Sequence, residues 1–181
     1  MKTRLSLIVS LGLLLSMPYP ATGGDAMNFA VRSTDFQEGS IIPKAFTCEG
    51  NDTSPALQWE GAPPGTKSLA LIVEDPDAPM GTFIHWVVYD IPASSKSIER
   101  GAGNDSTLPP GAKHGSTGFG VNRYGGPCPP KGNGSHRYNF ILRALDVETL
   151  GLKAGANRAE VERAMRGHIL AEAKTTGVYQ R

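Results

Sequence analysis

Ser68-Leu-Ala-Leu-Ile-Val-Glu74, Phe83-Ile-His-Trp-Val-Val-Tyr89 and His136-Arg-Tyr-Asn-Phe-Ile-Leu-Arg-Ala-Leu145 are the stretches that decide the fold. Each is short, rich in aliphatic, β-branched and aromatic residues, and set off by turn formers such as Asp75-Pro76 and Asp90 with Pro92. The first two are nearly continuous apolar runs, which predicts central strands buried on both faces. The third alternates. His136, Tyr138, Phe140, Leu142 and Ala144 fall on one face, and Arg137, Asn139 and Arg143 largely on the other.

Working outward, Phe29-Ala-Val-Arg32 and Ser54-Pro-Ala-Leu-Gln-Trp59 read as further extended segments, the second ending before the turn Gly61-Ala-Pro-Pro-Gly65. The 22 Gly and 14 Pro punctuate these runs, so the fold class is mainly β. One helix stands out near the end. Asn157 can cap it, Glu160 sits where a capping box needs it, and Val161, Ala164 and Met165 form a stripe continued by Ile169 and Leu170. Gly167 is placed to break or bend it, and Val178-Tyr179 to form a closing strand. The connection from Gly101 to Gly134 holds ten Gly and five Pro. A loop of that length inside a compact domain is functional or disordered, and its proline-rich second half argues against disorder.

The first 26 residues read as a secretory leader: Lys2 and Arg4, the apolar run Leu5 to Met17, then Pro18, Pro20 and small residues. Cleavage after Gly23 and after Ala26 both fit. The alternative is an uncleaved anchor, but the run falls short of the roughly 20 residues a spanning helix needs. The remainder, 27–181, is one domain with volume for a real core. Its charge is close to neutral: the whole chain carries +1 and is 19% charged. That lacks the basic footprint that nucleic-acid binding relies on. Cys48 and Cys128 are the only cysteines, both beyond the leader, where disulfides persist. They are expected to be bridged, the alternative being two buried thiols. Their spacing fits neither a zinc ribbon nor a CxxC redox motif.

The candidate chemistry gathers at strand ends. Asp75 closes the first long strand and Pro76 forces a turn there. His85 lies on the next strand, on the face expected to hold Phe83 and Val87, and a hairpin would bring it close to Asp75. His136 and Tyr138 point to one side of their strand. The Gly126-Pro-Cys-Pro-Pro130 loop can offer backbone N–H groups. Two imidazoles, a phenol and amide donors suit a phosphate or carboxylate, and Asp75 would orient a histidine or favour its charged form. Against this, a histidine in a sandwich is often a hydrogen-bonded core residue, and an aspartate before Pro can simply cap a turn.

The motifs Cys48-Glu-Gly-Asn-Asp-Thr-Ser-Pro55 with Trp59, Asp75-Pro-Asp-Ala-Pro79, His85-Trp86, Tyr124-Gly-Gly-Pro-Cys-Pro-Pro130 and Gly134-Ser-His-Arg-Tyr138 resemble the phosphatidylethanolamine-binding proteins, in their bacterial Raf-kinase-inhibitor-like branch. The resemblance runs from about Met27 to near Arg181. It implies a two-sheet Greek-key β-sandwich with small peripheral helices. It implies a pocket for phosphate, phosphorylethanolamine or related anions, walled by Asp75, His85, His136 and Tyr138, with Gly126 and Cys128 at the rim and Asp77 and Pro79 shaping the loop. It also implies a homodimer. The chain departs from the eukaryotic pattern in two places: only Met80 to Ile84 separate the DPDAP motif from His85, and Cys128 stands where glycine is usual. Arg123 is either an extra anion contact or a solvated loop arginine. His114 and His168 are read as loop surface and helix packing.

Three functions compete. The first is a non-enzymatic binding module that holds a phosphate-bearing ligand or an anionic segment of a partner and so modulates that partner. An exported protein has little access to cytoplasmic kinases, so inhibition of a protease or an envelope or host partner suits it better. Ser135 beside His136 is not in a G-x-S-x-G elbow, so no competent nucleophile is visible. The second is a metal-assisted hydrolase with Asp75, His85 and His136 as ligands. The third is a structural dimer with an idle pocket. No cofactor is expected on the first reading.

Overall fold

The computed structural model describes residues 28–105 and 107–181, so the expected leader over 1–26 lies outside the described residues. Two antiparallel sheets form the body. Strands β1 (Ala30–Ser33), β2 (Leu57–Glu60), β3 (Ser68–Asp75), β4 (Phe83–Pro92) and β5 (Ser97–Ile98) come first. The short helix α1 (Ala102–Asp105), β6 (Lys113–His114), β7 (His136–Leu145), α2 (Arg158–Met165) and β8 (Ile169–Tyr179) follow. A single 3-10 turn spans Lys44–Phe46. The small sheet runs β1-β2-β5 and the large one β6-β4-β3-β7-β8. The fold is mainly β with few small helices, as the apolar runs require.

The near-continuous run of β3 reflects burial on both faces. Leu69, Leu71 and Val73 join the core between the sheets, with Trp59, Trp86, Phe140 and Leu142. Ala70 and Ile72 turn the other way, where Val87, Tyr89 and the α2 residues Val161 and Met165 cover them. Helix α2 starts as its sequence requires: Asn157 accepts from the Glu160 amide at 3.1 Å, and Glu160 accepts from the Asn157 amide at 2.9 Å. It ends at Met165, before Gly167 at φ 84°.

Three expectations change. Ile169 and Leu170 do not continue the helical stripe; they open β8 and are exposed. The closing strand is not two residues long but runs Ile169–Tyr179, paired along all of β7. Its inward positions Ala173, Thr175 and Gly177 are small or polar, so the alternation in burial leaves no hydrophobic alternation to read. Gly177 is needed there because a Cβ would lie 2.5 Å from the Ile42 side chain packed over it.

The third change concerns β4. Val73 pairs with Trp86 while Glu74 pairs with Ile84, so β4 holds one residue more than β3 across that step. This bulge puts His85 and Trp86 on the same side, toward the core between the sheets, and sends Val87 to the helix side. His85 therefore shares its face with Trp86 rather than with Val87. A second irregularity lies between Val88 and Ile91, at Asp90, whose φ of 57° is left-handed. The strand passes through Asp90 instead of ending there.

Cys48 and Cys128 are bridged, with Cα atoms 5.4 Å apart and a sequence separation of 80. On the chain-entropy account a loop of that size stabilises by about 4.5 kcal/mol. The bridge ties the segment after the 3-10 turn to the Gly126–Pro130 loop. His114 is not loop surface: its Nδ1 accepts from the Trp86 indole at 3.3 Å. His168 lies past the helix and meets Asp146 at 2.8 Å.

Candidate functional site

A cavity of about 350 Å³ opens where β3 turns into β4 and β7 begins. Asp75, His85 and His136 are its polar residues; Met80, Phe83, Phe119, Pro129 and Pro130 supply much of the carbon wall. All three polar residues are buried.

Asp75 is placed by the end of β3 and does two things at once. Its Oδ1 accepts from the Asp77 amide at 2.9 Å, which caps the turn. Its Oδ2 meets His136 Nδ1 at 2.7 Å, so that nitrogen carries the hydrogen and donates. The histidine that Asp75 orients is thus His136, across the sheet. His136 Nε2 lies 3.1 Å from the Asn133 side-chain nitrogen.

Asp77 locks the DPDAP turn onto β7. It accepts from the Arg137 amide, Nε and Nη2 at 2.9, 2.8 and 2.7 Å. The side-chain bonds to Arg137 hold its carboxyl at about 2, against an ordinary 3.8. Pro79 lies in the cavity wall beside the freely exposed Met80.

His85 donates through Nδ1 to the Gly125 carbonyl at 2.7 Å. Burial pushes its pKa below the ordinary 6.5, and the Gly125 bond and Asp75 only partly oppose this. The ring is therefore neutral near pH 7 and its Nε2 is an acceptor. An anion at this ring must bring a proton or take one up with it.

Tyr138 is not in the cavity wall. It is buried behind His85, ring centroids 5.1 Å apart and nearly perpendicular. Its hydroxyl has no hydrogen-bond partner among the described residues. Burial, with the Asp75 charge beside it, raises the phenol well above its usual range. Gly126 is also set back from the cavity. Its amide donates to Asp52 Oδ1 at 2.6 Å, and a Cβ there would lie 2.3 Å from the Phe46 carbonyl oxygen. Cys128 lines the cavity, so the disulfide is part of its wall.

Residues beyond the sequence motifs also shape the cavity: Phe119 lines it, and Arg181 braces the Pro129 that lines it. Arg181 Nε donates to the Pro129 carbonyl at 2.7 Å, and its own carbonyl accepts from Gly132 at 3.2 Å. Phe119 packs perpendicular to both Phe83 and His85. Asn133 sits in a G-N-G turn of a kind that also marks ordinary loops, and nothing in the sequence flags Arg181 or Phe119. Among the described residues no group of three or more His, Cys, Asp or Glu side chains could hold a metal ion. No described helix is long and apolar enough to cross a membrane.

Comparison with known proteins agrees with this arrangement. The family model for phosphatidylethanolamine-binding protein matches residues 32–180. A UPF0098 protein of Aquifex aeolicus is 48% identical over 169 residues, covering 93% of this chain and 97% of its own. The crystal structure of Escherichia coli YbcL, described as a member of the mammalian PEBP family, superposes with a TM-score of 0.81 at 38% identity, over 84% of this chain and 98% of that one. Chlamydia trachomatis CT736 superposes with a TM-score of 0.78 at 36% identity, over 86% and 99%.

Proposed function

Because this chain belongs to the phosphatidylethanolamine-binding protein family, we propose that it is a non-enzymatic binding module whose pocket takes a phosphate-bearing or other anionic group and thereby modulates a partner protein. The observation that carries the reading is the polar set at the cavity: Asp75, His136 and His85, buried together in an otherwise largely carbon-lined space. The Asp75–His136 and His85–Gly125 hydrogen bonds hold the two rings in place at the cavity, so the donors and acceptors of the site are oriented before any ligand arrives.

The chemistry of the set shapes the ligand. His136 donates through Nδ1 to the Asp75 carboxylate, so its ring is steered and its Nε2 is turned away from that carboxylate. His85 is neutral when the cavity is empty. A phosphate monoester supplies a proton donor in its monoanionic form and a strong acceptor after transferring that proton. The carbon wall from Met80 to Pro130 then contacts the rest of the ligand. The protein acts after export and as a homodimer, and the partner is a protease or another envelope protein. Sedimentation showing a monomer at micromolar concentration would remove the dimer.

The test is an NMR titration of the 27–181 domain with phosphorylethanolamine, following the imidazole signals. Saturable shifts confined to His85 and His136, with His114 and His168 unmoved, are expected. No shift at millimolar ligand would overturn the anion pocket and leave the fold alone.

A further inference from the structure

A second cleft, of about 170 Å³, opens beside the first. Phe119 and Cys128 line both, so the two spaces share a wall. The Phe119 ring stands at 45% exposure on that wall, and a Cβ on Gly125 would lie 2.5 Å from it, so the ring is seated directly on backbone. The far side of the second cleft is made by Tyr124 and Gly126, with Asp52 and Arg123 as its charged groups.

These two charges are not equally engaged. Asp52 Oδ1 is held by the Gly126 amide at 2.6 Å, which spreads its charge into the loop. Arg123 is exposed and enters no hydrogen bond or ion pair among the described residues. A guanidinium beside a formed cleft, with no carboxylate on it, is a ready fork for an incoming carboxylate. The second oxygen of Asp52 is an acceptor, which suits a peptide N–H. An acyl chain would strip water from both groups without replacing their hydrogen bonds.

Resting on the pocket reading above, we infer that the two clefts form one site for an extended acidic peptide segment. An anionic or phosphorylated side chain occupies the His85–His136 cavity, the main chain crosses Phe119, and a second acidic side chain reaches Arg123. Arg123 therefore decides which partner segments bind well.

The experiment is calorimetry with short phosphoserine peptides, otherwise neutral, in which one position, stepped from one to four residues away on either side, is aspartate or asparagine. At one spacing the aspartate peptide binds about fivefold tighter than its asparagine twin, the upper range for an exposed ion pair. In Arg123→Ala the twins bind alike, and in Arg123→Glu the order reverses. Equal binding of the twins at every spacing overturns the inference, as does a gain that survives in Arg123→Ala. Phosphorylethanolamine measured on the same protein separates the two readings. If it binds while the twins stay equal, only this inference falls; if neither it nor any peptide binds, the pocket reading falls as well. Binding seen only with phosphatidylethanolamine vesicles would replace the peptide with a lipid surface.

Discussion

Strand β4 is bulged near both ends, and each bulge lies close to a buried carboxylate. At the second bulge Asp90 is fully engaged. Its Oδ2 accepts from Lys113 Nζ and Thr149 Oγ1, both at 2.9 Å, and its Oδ1 from the Leu150 amide at 2.8 Å. At the first, Asp75 has one backbone amide and one imidazole, and the space beside it is a cavity. Behind that cavity the buried Tyr138 hydroxyl lies close to the Asp75 carboxylate. A permanent cation and fixed donors make the Asp90 end a closed structural joint. A histidine partner and an adjoining cavity, in place of a permanent cation, are what the proposed binding at the Asp75 end rests on.

The widest separation between the two ends should come from Asp90→Ala. That change leaves the Leu150 amide and the Thr149 hydroxyl without their acceptor and the partly exposed Lys113 ammonium with the Leu152 carbonyl alone, and is expected to remove about 2 kcal/mol of stability. Denaturant unfolding checks it, with the phosphorylethanolamine affinity of the folded fraction expected to stay as before. A parallel fall in affinity would erase the distinction between the ends.

His136→Ala tests the other end. Its effect should appear in binding, with affinity for phosphorylethanolamine down about tenfold or more, and a stability loss of about 1–2 kcal/mol from the released Asp75. An unfolded variant would make His136 a structural residue like Lys113 and count against the pocket.

The smallest effect is in pH. His85 is held below its ordinary 6.5 by burial. Above 6.5 the ring is neutral in both folded and unfolded chains and adds nothing. As pH falls through 6.5 the unfolded chain takes a proton that the folded one refuses, so stability declines until folded His85 is itself protonated. An anion in the cavity raises the folded pKa, so ligand should flatten this decline. Thermal melts from pH 7.5 to 5, with and without phosphorylethanolamine, read both; a decline that ligand leaves untouched would place the proton elsewhere. Asp77 has the same sign in a separate, lower window. Its stabilisation is present above 3.8 and is lost as pH falls through about 2.

Much of this could be read along the chain. The runs at Ser68, Phe83 and His136 became β3, β4 and β7, since unbroken apolar residues have few other places to go. Asn157 and Glu160 became a two-way capping box because capping is local. The pairing of Cys48 with Cys128 followed from there being only two cysteines. Less visible were β8, whose inward positions are small, and the bulge at His85, which is a mismatch between strands and has no signature in either one alone. The site divided along the same line. Asp75, His85 and His136 meet at one cavity. Tyr138 and Gly126, read as facing a ligand, are set behind it, while Phe119 lines it and Arg181 braces its Pro129 wall from distant parts of the chain.

The sequence by itself determined the central strands, the capped helix, the single pairing open to its two cysteines and the residue types that meet at the strand ends. Those depend on periodicity, capping and counting, which act over a few residues. Only the tertiary structure decided which histidine Asp75 holds, which face His85 takes, and which walls close the cavity. These are set by strand register and by contacts between residues such as Asp75 and His136, 61 positions apart, and no local rule carries information over that distance.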